Sequence, residues 1–499
     1  MASSASVLYL AALPEADRSA LDLASREDLL DICRRAVDAA RLRGRPVLTS
    51  WAMPVPHTDA LEVWRRSRRV ADRAMLWRSA WDSTFLVAAG TAHDLSEDGE
   101  DRIGAVRAAW ADLAEGAVTG GGPTGELPTG QGPLLVGGVA FSPATGTARP
   151  PFPDALMWVP AVQIRGTAAA ATGWGTPLGE LRLNAVVDRD SDPVRVSRNL
   201  LDLAERCLSP LPGAPDGGPT DPPLVHEPVE LPSAADWKSL VGRAVRRMRE
   251  GAFEKVVLAR EVRYVADSDF DVPAAMDRLS RAYPEATLFA VREGGFEFVG
   301  ATPEYLVRLT DGTVHTLGLA GTTPRGATPE EDAVYEKDLT GSAKILHEHD
   351  IVVRMLREAL TGSCADLTVA PSPTVLKLAN VQHLSTPVEG KLAEDAPGIL
   401  EFAERLHPTP ALGGHPRAAS LDWLAKNEGL ARGWYAGGVG WSDISGQGEF
   451  AVAIRSALVH GNVASLYAGC GLVADSDPEE EYQETCAKLR PMLHALGIE

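Results

Sequence analysis

The sequence predicts an α+β protein with a large, mostly antiparallel β-sheet core flanked by helices. Strand-like runs cluster in its second half without the regular βαβ alternation that a parallel sheet needs. A small number of well-marked amphipathic helices separate those clusters. Two Pro/Gly-rich stretches, and no fixed-period repeat, punctuate the chain. A length of 499 residues suffices for two or three modest domains or one large enzyme domain with an appendage. Apolar residues at 45% and charged residues at 23% are ordinary globular values and argue against wholesale disorder.

The stretches from Glu115 to Pro133 and from Ser209 to Pro232 read as loops, because such composition buries too little apolar surface to offset its ordering entropy. The second divides the chain into residues 1–208, a linker at 209–232, and residues 233–499. The C-terminal part opens with a helix. Ser233 and Asp236 resemble a capping box, Trp237, Leu240, Val241, Ala244, Val245 and Met248 make an apolar stripe, and Gly251 supplies the stop. Phe253–Ala266 follows as a β-branched, partly alternating strand. Further strands are expected at Thr287–Val291, Phe296–Val299, Tyr305–Leu309, Gly433–Trp441, Glu449–Val459 and Val463–Ala468. Helices are expected at Glu330–Leu360, Gly398–Leu406 and Pro478–Leu496.

Charge narrows the partners. Lys and Arg total 48 against 68 Asp and Glu, a formal net charge of −20. Nucleic acid and anionic membrane surfaces both need a basic footprint and are poor matches, whereas a few local cations in a cleft suffice for a small anion. The five cysteines, Cys33, Cys207, Cys364, Cys470 and Cys486, form no CxxC pair, so neither a disulfide framework nor a Cys-based zinc site is expected. The N-terminal residues lack a basic segment followed by an apolar one, and no run of ~18 apolar residues occurs. A reduced, cytoplasmic protein is the expectation.

Several residues carry candidate chemistry. Projected as a helix, Ser342 to Gly362 sets Glu348 among Ile345, Val352, Met355 and Ala359. An acid at a core angle must be neutral, paired or bound to a cation; a Glu reaching solvent from the edge of the stripe is the plain alternative. His347 and His349 lie about 200° apart around the helix, which excludes a shared metal and an HExxH zinc motif. In Asp475 to Leu496 the apolar stripe is Tyr482, Cys486, Leu489, Leu493 and Leu496, with Glu481, Glu484 and Lys488 opposite. A solvated face favoured by the helix dipole accounts for those charges. So does a pair of carboxylates holding a hard cation such as Mg²⁺, with Glu348 completing the site. Lys255 begins a β-branched strand, where partial burial favours the neutral amine that a base needs. Glu304 follows a Pro at a turn between strands and is a candidate acid; single residues at such positions are more often structural. The Gly-rich pieces Leu319–Gly326, Ala436–Trp441 and Ala468–Gly471 match no phosphate-binding fingerprint and read as turns or close approaches of backbone to an anion. Arg455, in an otherwise apolar strand, needs an anionic partner from the protein or a substrate.

In order, FEKVVLAR, FVGATPEYL, LAGTTPRG, SAKILHEH, VQHLSTPVEG, LHPTPALGG, GWYAGGVGW, FAVAIRSAL and LYAGCGLVADSDPEEEYQETCAKL resemble the chorismate-utilising enzymes, and among them the isochorismate synthases, over Ser233 to Glu499. The resemblance implies an anthranilate synthase component I-like fold, with residues 1–208 as a subdomain packing on it, and a monomer acting on chorismate. It implies Mg²⁺ as cofactor, with Glu348 and Glu484 as direct ligands and Glu481 assisting. It implies Lys255 as base on the water attacking C2 and Glu304 as acid on the departing C4 hydroxyl, giving isochorismate without redox change. Arg455, Tyr435, Lys488 and the backbone at Gly321, Thr322, Gly469, Cys470 and Gly471 match positions that hold the substrate carboxylates, and His383 matches a residue lining the pocket. Ala320 stands where aminodeoxychorismate synthases usually carry Lys, Lys255 where anthranilate synthases usually lack it, and Ala411 where salicylate synthases tend to carry Thr. A Mg²⁺-dependent isochorismate synthase serving menaquinone or siderophore synthesis is therefore expected, with a salicylate synthase as the alternative.

Overall fold

A computed structural model describes residues 23–121, 132–144, 150–167, 174–209, 223–377 and 381–498. Two large sheets dominate them. The first runs, in spatial order, through Val229–Leu231, Lys255–Val265, Val463–Leu472, Ser456–His460, Phe296–Thr302 and Thr287–Glu293, then Ala74–Arg78, Thr84–Ala89, Val162–Thr167, Gly175–Val187, Val47–Asp59 and Val118–Gly121. Its pairs are antiparallel except Val47–Asp59 with Val118–Gly121. Residues from both halves of the chain are adjacent strands in it, with Leu288 opposite Arg78. The second sheet runs through Cys364–Val369, Val381–Leu392, Thr313–Pro324, Tyr305–Thr310, Gly448–Val452, Gly438–Asp443, Leu134–Val139, Ala155–Val159 and His93–Asp94. Trp77, Phe289 and Phe298 of the first sheet and Trp158, Val439 and Trp441 of the second share one buried core, packed as two facing sheets require. Helices flank this sandwich, as an α+β reading expects.

The capped helix forms at Ala234–Arg249, with Ser233 accepting from the Asp236 amide and Gly251 at φ +79°. Its six predicted stripe residues are all buried. Other expectations change in detail. The helix expected at Glu330–Leu360 is two, Pro329–Gly341 and Ala343–Leu360, because Ser342 turns extended and its side chain caps the second by accepting from the Ile345 amide. The strand expected at Gly433–Trp441 begins at Gly438, since Gly433 and Ala436 adopt positive φ and form a turn. The expected strand Glu449–Val459 is two strands in different sheets, Gly448–Val452 and Ser456–His460, broken where Arg455 adopts φ +51°. Part of the expected linker forms the edge strand Val229–Leu231; residues 210–222 lie outside the described residues. The loop expected at Glu115–Pro133 contributes the strand Val118–Gly121, and residues 122–131 also lie outside them.

The chain changes sheets twice at one place. It leaves Phe296–Thr302 in the first sheet and enters Tyr305–Thr310 in the second through Pro303 and Glu304; it returns from Gly448–Val452 to Ser456–His460 through Arg455. The crossings are cross-linked, the Val452 amide donating to the Glu304 carbonyl (2.9 Å) and the Ala301 amide to the Arg455 carbonyl (3.1 Å).

Candidate active site

A cavity of about 280 Å³ opens beside these crossings. Lys255, at the start of its strand, turns its side chain inward and is 1% exposed. Its Nζ donates to Glu348 Oε1 at 2.6 Å, so the acid set among apolar residues on Ala343–Leu360 is partnered by an amine from another element. Gly471, opposite Val257 on the neighbouring strand, makes this contact possible: a Cβ there would stand 2.9 Å from both Glu348 Oε1 and Lys255 Cε. Gly469, two residues earlier and on the same strand face, leaves room for the Tyr435 hydroxyl, 3.1 Å from where its Cβ would be.

An adjoining wall comes from Pro478–Leu496. Glu481 is 8% exposed, and Lys488 Nζ bonds Glu484 Oε1 (2.5 Å) and the Gly469 carbonyl (3.0 Å). This charged face therefore lines the cavity, which corrects the solvated-face reading, while Leu489, Leu493 and Leu496 bury on the other side. Burial alone would lower the Lys488 ammonium, but Glu484 holds it above its ordinary value.

Glu304 and Arg455 enter from the crossings, and Arg455 lies at a break between strands rather than within one. Burial pushes the Glu304 carboxyl up to about 7, against the opposing pull of Arg455, Lys255 and Lys488. A carboxyl so placed holds a proton near neutrality, as a general acid must. Burial also raises the Tyr435 hydroxyl and lowers the Arg455 guanidinium.

Gly321, Thr322 and His383 form a third wall. The ladder between Thr313–Pro324 and Val381–Leu392 is bulged between Ala320 and Thr322, with Gly321 at φ +78° and its missing Cβ 2.4 Å from Ile345 Cγ2. Gly321→Ala must therefore strain the backbone and displace the Ile345 side chain on the helix that carries Glu348. It is expected to destabilise the fold by at least about 1–2 kcal/mol, read as a lower melting temperature.

Every predicted site residue lines this cavity except Cys470, whose side chain joins the hydrophobic core instead, as alternation between two inward glycines requires. Ser342, Leu412, Arg432 and Glu480 also line it and were not anticipated. Arg432 could have been found as the i+4 partner of Glu428; the pair is buried and bidentate, and Arg432 ties down the Leu412 and Val257 carbonyls. Glu348, Glu481 and Glu484 face the same cavity, but among the described residues no three His, Cys, Asp or Glu side chains stand close enough to hold a metal ion. Glu348 and Glu484 are each engaged by a lysine instead.

The family model described as "Chorismate binding enzyme" matches residues 35–497. The chain belongs to the chorismate binding enzymes. Among relatives of this family member, the isochorismate synthase MenF of Bacillus subtilis is 38% identical over 370 residues, covering 74% of this chain and 75% of that protein. The salicylate biosynthesis isochorismate synthase of Pseudomonas aeruginosa is 35% identical and covers 93% of each. Among solved structures, the menaquinone-specific isochorismate synthase of Escherichia coli aligns with TM-score 0.72 and 26% identity over 93% of this chain and 99% of that one. Anthranilate synthase component I of Streptococcus pneumoniae aligns with TM-score 0.66 and 19% identity, over 82% of this chain and 92% of that one. The expected fold is thus borne out. Among the described residues of this chorismate binding enzyme, no helix is long and apolar enough to cross a membrane.

Proposed function

We propose that the protein is a Mg²⁺-dependent isochorismate synthase, converting chorismate to isochorismate for menaquinone or siderophore synthesis. The observation that carries this reading is the meeting of Lys255, from one strand, with Glu304, from a sheet crossing, in one buried cavity. An amine and a protonated carboxyl are what hydroxyl exchange across a ring requires: one takes a proton from the attacking water, the other gives a proton to the leaving hydroxyl.

Lys255 accepts, on its nitrogen lone pair, the proton of the water that bonds C2, while an N–H of the same amine can keep its bond to Glu348. Glu304 protonates the C4 oxygen as its bond to carbon breaks, and water departs. Arg455, Tyr435 and Lys488 supply charge and hydrogen bonds for the two carboxylates. Their buried setting strengthens those contacts and limits bulk water. The donor set for Mg²⁺ is all carboxylate oxygen, from Glu348, Glu484 and Glu481 on two helices facing one cavity, which fits a hard cation. When bound, the ion supplies a Lewis-acid hold on a substrate carboxylate. Ala320 and Ala411, small residues where other family outcomes carry Lys or Thr, both line the cavity and favour water as nucleophile without elimination.

Purified protein is expected to form isochorismate from chorismate, followed by chromatography, and to stop when EDTA removes divalent ions and resume with Mg²⁺. Accumulation of salicylate and pyruvate as main products would overturn the reading, as would full turnover after chelation.

A further inference from the structure

His383 projects from Val381–Leu392 into the cavity wall and is 5% exposed. Its Nδ1 stands 3.0 Å from Thr322 Oγ1 and 3.3 Å from the Gly321 carbonyl oxygen. The carbonyl can only accept, so a bare Nδ1 would set two lone pairs against each other. A protonated Nδ1 donates to both oxygens, and the threonine hydroxyl accepts as readily as it donates. In a neutral ring that leaves Nε2 without a proton. Burial, then the nearby charges of Arg455 and Lys488, lower His383 to about 3, which keeps the ring neutral. Among the described residues Nε2 is buried with no hydrogen-bond partner, a state that polar atoms in folded proteins rarely keep.

We infer that His383 Nε2 is a lone-pair acceptor for the substrate's ring hydroxyl, and so a specificity-determining residue of the proposed reaction. A bare nitrogen repels a carboxylate and accepts only an O–H or N–H. Of the polar groups of chorismate, two are carboxylates and one is an ether oxygen; the C4 hydroxyl alone can donate. That bond would fix the hydroxyl hydrogen toward His383 and turn an oxygen lone pair toward Glu304. His383 takes no proton: the departing water carries its original hydrogen and the one from Glu304. The cavity cations, Arg455 and Lys488, remain for the carboxylates.

The inference rests on the isochorismate synthase reading, and two measurements keep the two apart. In protein labelled with nitrogen-15 histidine, the resonance pair lost in His383→Gln identifies the ring, and its pattern reports which nitrogen bears hydrogen. The expected pattern is Nδ1–H with a bare Nε2, unchanged between pH 6 and pH 8; a protonated Nε2 would falsify the inference and leave the reading standing. In steady-state kinetics, His383→Ala is expected to lower kcat about tenfold or more with KM changed less than about threefold, since leaving-group orientation matters in the transition state. His383→Gln, whose amide oxygen can accept near the Nε2 position, is expected to recover part of that loss. A large rise in KM with kcat retained would mean that His383 holds a carboxylate, and would overturn the inference. Wild-type protein that forms no isochorismate would instead overturn the reading itself.

Discussion

Lys255→Ala is expected to remove isochorismate synthesis by about 10²–10⁴-fold in kcat, the range that a positioned general base contributes. The side chain is 1% exposed and its Nζ holds Glu348 at 2.6 Å, so the substitution removes the base and also leaves a cavity beside a carboxylate that has lost its partner. Lys255→Met, which fills most of that volume, separates the two effects. Both variants should lose turnover, while Lys255→Met should melt closer to wild type. Full activity in a variant that keeps its circular dichroism and melting transition would mean that the base is another group.

Glu304→Gln is expected to cost a comparable factor, because the amide keeps the shape but has no acidic proton. The pH dependence gives its own signature. Glu304 must be protonated to act, and burial has raised it to about 7. The kcat/KM of the wild type should therefore fall as pH rises through about 7, and any residual activity of the Gln variant should lack that limb. Stability follows the same sign. A carboxyl whose folded value lies above its ordinary one contributes fully below that ordinary value and loses its contribution as pH rises through about 7. Above that pH Glu304→Gln should melt no lower than wild type, even though it is inactive. A falling limb that persists in the Gln variant would assign the acid elsewhere.

The parts of this fold that were legible in the sequence are those with one wet face. Ala234–Arg249 and Pro478–Leu496 carry stripes and caps, and their limits follow from them. The strands Ala74–Arg78, Thr84–Ala89, Leu134–Val139 and Ala155–Val159 are buried on both faces, so they show no alternation to read. The capped amphipathic helices Ala60–Val70 and Pro193–Leu208 of the same half have a wet face and were nonetheless not anticipated. Site residues were legible where chemistry conflicted with local pattern: Glu348 among apolar residues and Arg455 among strand formers. That Arg455 marks a break was not legible, because Glu449–Val459 reads as one β-branched run until the two sheets part. The face carrying Glu481, Glu484 and Lys488 looked solvated because periodicity shows which residues share a side and not what that side meets.

The reciprocal bonds between Ala301 and Arg455, and between Val452 and Glu304, have a consequence for tolerance to change. The proposed acid and the candidate carboxylate-binding cation hang on the seam where two layers are stitched together. A slip of either layer by a fraction of an ångström would move both groups together and leave their mutual spacing largely intact. Repacking among Trp77, Phe289, Phe298 and Trp441 should thus displace that couple as a unit relative to Lys255. That lysine starts a strand two places along the first sheet from Ser456–His460, and its neighbours Val256 and Leu258 pack in a different core. Drift in the sandwich interior would be felt first as a changed gap between proton donor and proton acceptor.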